Sequence, residues 1–98
     1  MKHAAVDILI SAADEIAARA DQLDRENGER SMARAVSTFN ALTGHSLSQR
    51  DGWVFMVVLK LSRSQNGRPI IDDYLNGAAY MALAGESIDD SEDNKNGG

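Results

Sequence analysis

The chain has 98 residues, a net charge of −5, a hydrophobic share of 43% and no cysteine. That length allows one domain with a small core, and the lack of cysteine excludes disulfide scaffolds, thiolate metal sites and thiol nucleophiles. The opening stretch MKHAAVDILISAADEIAARA has acidic residues and no long apolar run, so it predicts neither a signal peptide nor a membrane span. We therefore expect a folded, cytoplasmic protein that does not enter a membrane.

The charge falls into three blocks along the chain. Residues 1–29 sum to −4, residues 30–68 to +5 and residues 69–98 to −6. Such a chain either neutralises itself by packing its acidic ends around its middle, or presents a basic face to phosphate or an acidic partner. The acidic surroundings favour neutralisation. Nucleic-acid binding is not expected, because the total charge is acidic and the basic residues are not interleaved with aromatic ones.

Apolar periodicity predicts the first two helices, and no strand-type alternation persists anywhere. The first helix covers about residues 3–24, and Gly28 is expected to end it. Its apolar stripe consists of Val6, Leu9, Ile10, Ala13, Ile16, Ala17, Ala20 and Leu23. The second helix covers about residues 31–43, with Gly44 as its left-handed C-terminal residue. Its apolar side consists of Met32, Ala35, Val36, Phe39 and Leu42.

The third helix begins with the clearest local signal in the chain. Ser48 and Asp51 form a variant of the capping box, in which each side chain bonds the other residue's backbone N–H. The run WVFMVVL that follows also fits a buried strand by length, but the cap and the flanking helical pattern favour a helix. A helix that is apolar all round must be covered all round. Neighbouring helices or a second subunit can cover it, and we expect a homodimer that seals the helix around Trp53.

A fourth helix is predicted over about residues 70–84, with Gly85 past its end. Its stripe consists of Ile71, Leu75, Ala78, Ala79, Ala82 and Leu83. Gly77 costs about 1 kcal/mol of helix propensity relative to alanine. Close approach of a neighbouring backbone, framed by Tyr74 and Tyr80, would explain that glycine.

The domain organisation follows from these elements. Residues 1–86 are predicted to form a single helical domain. The remaining segment, residues 87–98, has almost nothing apolar to bury and is predicted to be a disordered acidic tail.

Asp72 and Asp73 are the first candidates for chemistry. Two carboxylates suggest a metal site or a general base, but adjacent residues on a helix point about 100° apart and do not converge on one ion. Their position in the first turn favours interaction with the helix dipole. One of them is also expected to reach Lys60 or Arg63 across the hairpin.

Basic residues supply a second candidate surface. Lys60 and Arg63 lie one turn apart at the end of the third helix, where cations suit the helix dipole. A phosphate site formed with Arg68 is the alternative, although no P-loop-type glycine-rich loop supports it. The predicted binding surface consists of Arg30, Arg34, Lys60, Arg63 and Arg68.

The remaining residue types carry weaker signals. His3 and His45 have no carboxylate at metal-ligand spacing, so both are expected at the surface and no metal site is predicted. No serine lies in a Gly-x-Ser-x-Gly elbow, so nucleophilic hydrolysis has no support. A ligand pocket lined by aromatic residues is the alternative to core packing around Trp53. The residues predicted for the core or a dimer contact are Trp53, Phe55, Met56, Gly77 and Tyr80.

Three ordered blocks, GERSM, GWVFMVVLKLSRSQ and DDYLNGAAYMALAGE, resemble a family of small proteins from tailed phages and prophages that is recorded as a domain of unknown function. The likeness covers residues 28–86. It implies a helical fold, a phage or prophage origin and a place in the cytoplasm of a bacterial host. It implies no established activity.

A more distant likeness is to the all-α nucleotide pyrophosphohydrolases of the MazG type. Those proteins hold Mg²⁺ with Glu-x-x-Glu and Glu-x-x-Asp pairs, whose spacing puts carboxylates on one helix face. This chain has Asp14 and Glu15 in its first helix without a second pair after them. In the last helix, Asn76 stands three residues after Asp73, where a carboxylate is expected. Too few carboxylates remain for a two-helix metal cage.

The sequence thus predicts an all-α bundle of about four helices. We expect a small phage or prophage accessory protein that binds a host protein without catalysis and without a cofactor. The alternative is a nucleotide-binding or nucleotide-hydrolysing protein. In that case Lys60, Arg63, Asp72 and Asp73 would act with Mg²⁺, and the two aspartates would be the catalytic candidates.

Overall fold

The structure, a computed structural model, describes residues 4–23 and 31–88. It contains the helices α1 (Ala5–Leu23), α2 (Ser31–Thr43), α3 (Gln49–Ser64) and α4 (Ile71–Glu86). These ranges contain no strand, so the predicted all-α fold with four helices is confirmed. No helix among the described residues is long and apolar enough to cross a membrane. Outside the described residues lie His3, Gly28, Arg30 and most of the predicted tail.

The helices are arranged around a central pair, α3 and α4. The short connection between them reverses the chain, so that Lys60 of α3 lies beside Gly77 of α4. Helix α1 packs against α4, and α2 packs against α3. Ile16 of α1 and Met32 of α2 both reach the cluster around Trp53. The helices α1 and α2 therefore cover the same side of the α3–α4 hairpin.

The core on that side is small and centres on Trp53. It includes Leu83 and Ala84, with Met56 and Tyr80 packed against it. The Trp53 and Tyr80 rings stack with their centroids 5.7 Å apart and their planes 22° apart. Trp53 is only 5% exposed within its own chain. A second subunit is therefore not needed to cover Trp53. The opposite side of α3 is still open to contact with a second subunit.

The predicted capping box at the start of α3 is confirmed. The Asp51 backbone N–H donates to Ser48 Oγ at 3.1 Å, and the Ser48 backbone N–H donates to Asp51 Oδ2 at 2.9 Å. The backbone hydrogen bond from Ser48, its side chain and the nearby Arg50 charge lower the pKa of Asp51. This local signal decides between helix and strand for the apolar run that follows it.

The turn between α2 and α3 depends on two residues. Gly44 has a φ of 79°, as predicted for a left-handed helix end, and its N–H donates to the Asn40 carbonyl at 2.8 Å. The Asn40 side chain also holds the backbone of Leu47 at both of its polar groups. Asn40 Nδ2 donates to the Leu47 carbonyl and the Leu47 N–H donates to Asn40 Oδ1, both at 2.9 Å. This role of Asn40 was not predicted from the sequence.

The predicted end of α4 needs a correction. The helix continues through Glu86, so Gly85 lies inside it rather than past its end. Ser87 closes the helix, since its Oγ donates to the Ala84 carbonyl at 2.8 Å. The Ser87 backbone N–H also donates to the Leu83 and Ala84 carbonyls at 3.1 and 3.2 Å, so Ser87 rather than the glycine is the residue at which the helix ends.

Within the described residues of the single chain, no close approach of a neighbouring backbone explains Gly77. A Cβ added to Gly77 would lie 3.9 Å from Lys60 Cβ, which is ordinary contact. The close approach occurs at Gly52 instead, where α2 crosses the start of α3. A Cβ on Gly52 would collide with the Met32 side chain and lie 3.0 Å from Val36 Cγ2.

Helix α1 packs on a different face from most of its predicted stripe. Ala12 is buried, and Ile8 and Ile16, one turn away on either side, are half-buried. Helix α1 therefore buries a narrow strip, and that strip faces α4. The side chains of the predicted stripe that lie 55–61% exposed are Val6, Leu9 and Ile10.

Candidate functional site

The two adjacent aspartates of α4 lie in different grooves. Asp72 is exposed and lines a cleft between α1 and α4. Asp73 is buried and lines a groove between α3 and α4, together with Lys60 and Ser64. Both residues lie in the first turn of α4, as predicted. The structure thus places Asp73 on the side of Lys60, and it separates the pair that the catalytic alternative requires.

The cleft between α1 and α4 has a volume of about 450 Å³. We call it the acidic cleft, because Asp14 and Glu15 of α1 line it opposite Asp72 and Asn76 of α4. The residues singled out by the MazG-type likeness therefore do meet across two helices, apart from Asp73. Among the described residues, however, no three acidic or histidine side chains are grouped closely enough to hold a metal ion. The acidic cleft does not fit a metal cage.

The groove between α3 and α4 has a volume of about 260 Å³. We call it the apolar groove, because most of its lining is apolar. The residues Val57, Leu61, Tyr74, Ala78 and Met81 form that part of its wall. Ser64 uses its hydroxyl locally, donating to the Leu61 carbonyl at 2.7 Å.

The predicted basic surface is spread along the molecule. Lys60 is half-buried at the apolar groove, whereas Arg34, Arg63 and Arg68 are exposed. Arg34 belongs to α2, which crosses α3 at Gly52. Gly52 lies about 16 Å along the helix axis from Arg63, given a rise of about 1.5 Å per residue. Arg34 therefore lies apart from the end of α3, and the phosphate site of Lys60, Arg63 and Arg68 stays a prediction.

The five residues predicted for the core or a dimer contact divide into two groups. Trp53, Met56 and Tyr80 belong to the core cluster, and Gly77 is half-buried between α3 and α4. Phe55 points away from the core and is 66% exposed. Trp53 and Phe55 therefore lie on opposite sides of α3.

A large apolar surface lies on the side of the hairpin that α1 and α2 leave uncovered. We call it the hairpin face. It consists of exposed residues of α3 and α4: Val54, Phe55, Val58, Leu61, Tyr74 and Met81. The apolar groove opens onto it, since Leu61, Tyr74 and Met81 belong to both. Surface residues with this composition are typical of contact with another protein.

A second apolar surface lies on α2. Ala35, Phe39 and Leu42 follow one another at the spacing of successive helical turns, and all three are exposed. We call this row the α2 ridge. Phe39 stacks on His45, with ring centroids 5.8 Å apart, and Leu42 is 80% exposed. Of the predicted apolar side of α2, Met32 and Val36 thus pack against other helices. Ala35, Phe39 and Leu42 lie at the surface.

The fold and its surfaces define a small all-α protein with uncovered apolar faces on two sides and an acidic cleft. Residues 7–88 match the family model described as a domain of unknown function, DUF6378. The chain belongs to that family. No curated protein and no solved structure is significantly similar to it.

Proposed function

We propose that this protein is a small phage or prophage accessory protein that acts by binding a host protein, without catalysis. The phage origin is supported by the resemblance of its three sequence blocks. Binding is supported mainly by one observation, the α2 ridge with Leu42 80% exposed. An isolated apolar residue at a surface is ordinary, but a row at helical spacing is the pattern by which a helix docks into a groove.

The chemistry of the ridge indicates the kind of partner. Ala35, Phe39 and Leu42 occupy positions i, i+4 and i+7, which are the anchor positions of helix-in-groove recognition. Arg34 is exposed beside the ridge and adds a positive charge at its edge. The matching surface is an apolar groove with an acidic rim.

The test compares two charge insertions on α2. Leu42→Asp places a carboxylate in the ridge, and Ser37→Asp places one at an exposed position on the other side of the same helix. We expect the immobilised wild-type chain and Ser37→Asp to retain the same host protein from a bacterial lysate, and Leu42→Asp to lose at least tenfold of it. Equal retention by all three, or retention of no specific protein, would contradict the proposal.

A second candidate function is nucleotide binding or hydrolysis. The observation that favours it is the acidic cleft, where Asp14 and Glu15 face Asp72 and Asn76. Of the four residues predicted for this function, only Asp72 lines the cleft, while Lys60 and Asp73 line the apolar groove. Because the described residues do not form a metal cage, we derive no catalytic step for this candidate.

The adjacent aspartates provide a matched test of that candidate. Thermal shift with nucleoside triphosphates, with and without Mg²⁺, is followed by an assay for pyrophosphate release. If the cleft is a nucleotide site, Asp72→Asn removes the shift and the release, and Asp73→Asn keeps both. The absence of any shift or release in the wild type would exclude the candidate. Release that depends on Asp72 in a folded protein would contradict binding without catalysis.

A further inference from the structure

We propose that the hairpin face is the contact surface of a two-fold symmetric homodimer, in which α3 and α4 of one chain pack against α3 and α4 of a second copy. This inference goes beyond the proposed binding function, because it assigns a partner to a surface separate from the α2 ridge. It rests on the extent, shape and charge of the hairpin face and on the small core of the single chain.

The orientation of the hairpin shows why this side is open. On α3, Trp53 and Ser64 are buried while Val54, Val58 and Leu61 are exposed. At about 100° per residue, these two sets point to different sides of the helix. On α4, Tyr74 and Met81 are exposed in the same way, beside the apolar groove. The hairpin is therefore a layer that is covered on one side and bare on the other.

The area of the bare side suits a dimer. The six residues of the hairpin face are 42–66% exposed. At about 150 Å² per fully exposed side chain, the lower end of the range for aromatic residues, they present roughly 500 Å². The largest apolar patch of an ordinary monomer is about 300–600 Å². Two hairpin faces together bury about 1,000 Å², which is the lower limit for a specific protein interface.

The core of the single chain is small, so the chain gains stability when a partner covers the hairpin face. Half of the buried apolar residues described are alanines, namely Ala12, Ala79 and Ala84. No described side chain is fully buried. A domain of this size buries a smaller share of its surface than a larger domain does, so additional apolar burial adds noticeably to its stability. A permanent partner is therefore indicated, and the partner present in equal amount whenever the chain is made is a second copy.

The shape of the hairpin face is self-complementary. Val54, Val58 and Leu61 form a ridge along α3, and the apolar groove of about 260 Å³ runs beside it. A two-fold axis presents the same patch on both subunits, so each contact occurs twice. The ridge of one copy then fills the groove of the other, and the reverse holds at the symmetry-related position.

The charge of the face also permits contact between identical acidic chains. A chain with a net charge of −5 repels its own copy wherever acidic surfaces meet. The groove contains Lys60 and Asp73, one charge of each sign. At the α3 end, Asp51 is engaged with Ser48. The acidic cleft with Asp14, Glu15 and Asp72 is formed with α1, which covers the other side of the hairpin.

Single cysteine variants test the dimer without disturbing the fold, because the chain has no cysteine of its own. Val58→Cys places a thiol in the middle of the hairpin face, and Leu42→Cys places one on the α2 ridge. We expect a short bismaleimide cross-linker to convert at least five times more Val58→Cys than Leu42→Cys into covalent dimer at equal concentration. Equal conversion of the two variants would overturn the proposed surface.

Sedimentation of the wild-type full chain supplies the second measurement. We expect a mass of two chains at 10 μM or above, and a monomer for Val58→Glu at the same concentration. A wild-type chain that remains monomeric at 500 μM would overturn the dimer. Capture of a host protein through Leu42 by such a monomer would leave the proposed function intact, so the two proposals fail separately.

Discussion

At the scale of single residues, neighbouring positions in this chain differ sharply in their surroundings. Asp72 lines the acidic cleft and Asp73 the apolar groove, although they are adjacent in sequence. Gly52 and Gly77 both lie within helices, yet only Gly52 is crowded by another helix. The residue type alone reveals neither difference, because each depends on which helix passes by.

The two glycines give a matched prediction. Both Gly52→Ala and Gly77→Ala gain about 1 kcal/mol of helix propensity. Gly52→Ala also overpacks against Met32 and Val36, and overpacking costs about 1–3 kcal/mol. We expect Gly52→Ala to be the less stable variant by about 1–3 kcal/mol in urea unfolding at a fixed protein concentration. Equal stability of the two variants would contradict the observed crossing of α2 over α3.

Asp51 predicts a dependence of stability on pH. Its folded-state pKa is lowered by hydrogen bonds from Ser48, so the charged form stabilises the folded state. That contribution is present above the unfolded pKa of about 4 and is lost as the pH falls through the folded pKa. We expect the stability difference between wild type and Asp51→Ala to be largest near pH 7 and to shrink below about pH 4. Urea unfolding across that range measures it, and a constant difference would count against the capping box.

At the scale of elements, the helices were predictable where the signal is local. The capping box of Ser48 and Asp51 fixed the start of α3, and Gly44 fixed the end of α2. Helix faces were less predictable, since the stripe through Val6 and Leu9 on α1 lies mostly at the surface. Periodicity finds an apolar side, but the position of the neighbouring helix decides which part of that side is buried.

The same limit applies to the candidate site. The sequence placed Asp72 and Asp73 in the first turn of a helix and predicted that they would not converge. The MazG-type likeness had paired Asp14 and Glu15 with the last helix, but the residue pattern by itself did not predict that they lie opposite Asp72, because the packing of α1 on α4 joins parts of the chain about 60 residues apart. Long-range packing of this kind leaves no local pattern to read.

The turn between α2 and α3 carries a prediction at this scale. Asn40 makes two hydrogen bonds to Leu47, each of which contributes about 0.5–1.5 kcal/mol. We expect Asn40→Ala to lower the free energy of unfolding by about 1–3 kcal/mol. Asn40→Asp keeps the acceptor for the Leu47 N–H but loses the donor, so its stability should fall between those of Asn40→Ala and the wild type at neutral pH. Denaturant unfolding distinguishes the three, and an unchanged Asn40→Ala would show that the turn forms without this side chain.

At the scale of the whole molecule, the single chain leaves one side of its central hairpin uncovered. The helices α1 and α2 cover one side of the hairpin, and the hairpin face stays apolar and open. The α2 ridge points elsewhere and remains available after two copies associate. In the proposed dimer the hairpin face completes the fold, and the α2 ridge stays free for the proposed contact with a host protein.

The proposed association of two copies through the open apolar surface predicts that thermal stability depends on protein concentration. If two copies complete each other's fold, unfolding includes dissociation, and dilution lowers the midpoint. For a dimer of this size, a hundredfold increase in concentration should raise Tm by about 5–10 °C. A midpoint that stays constant over that hundredfold range would contradict the account.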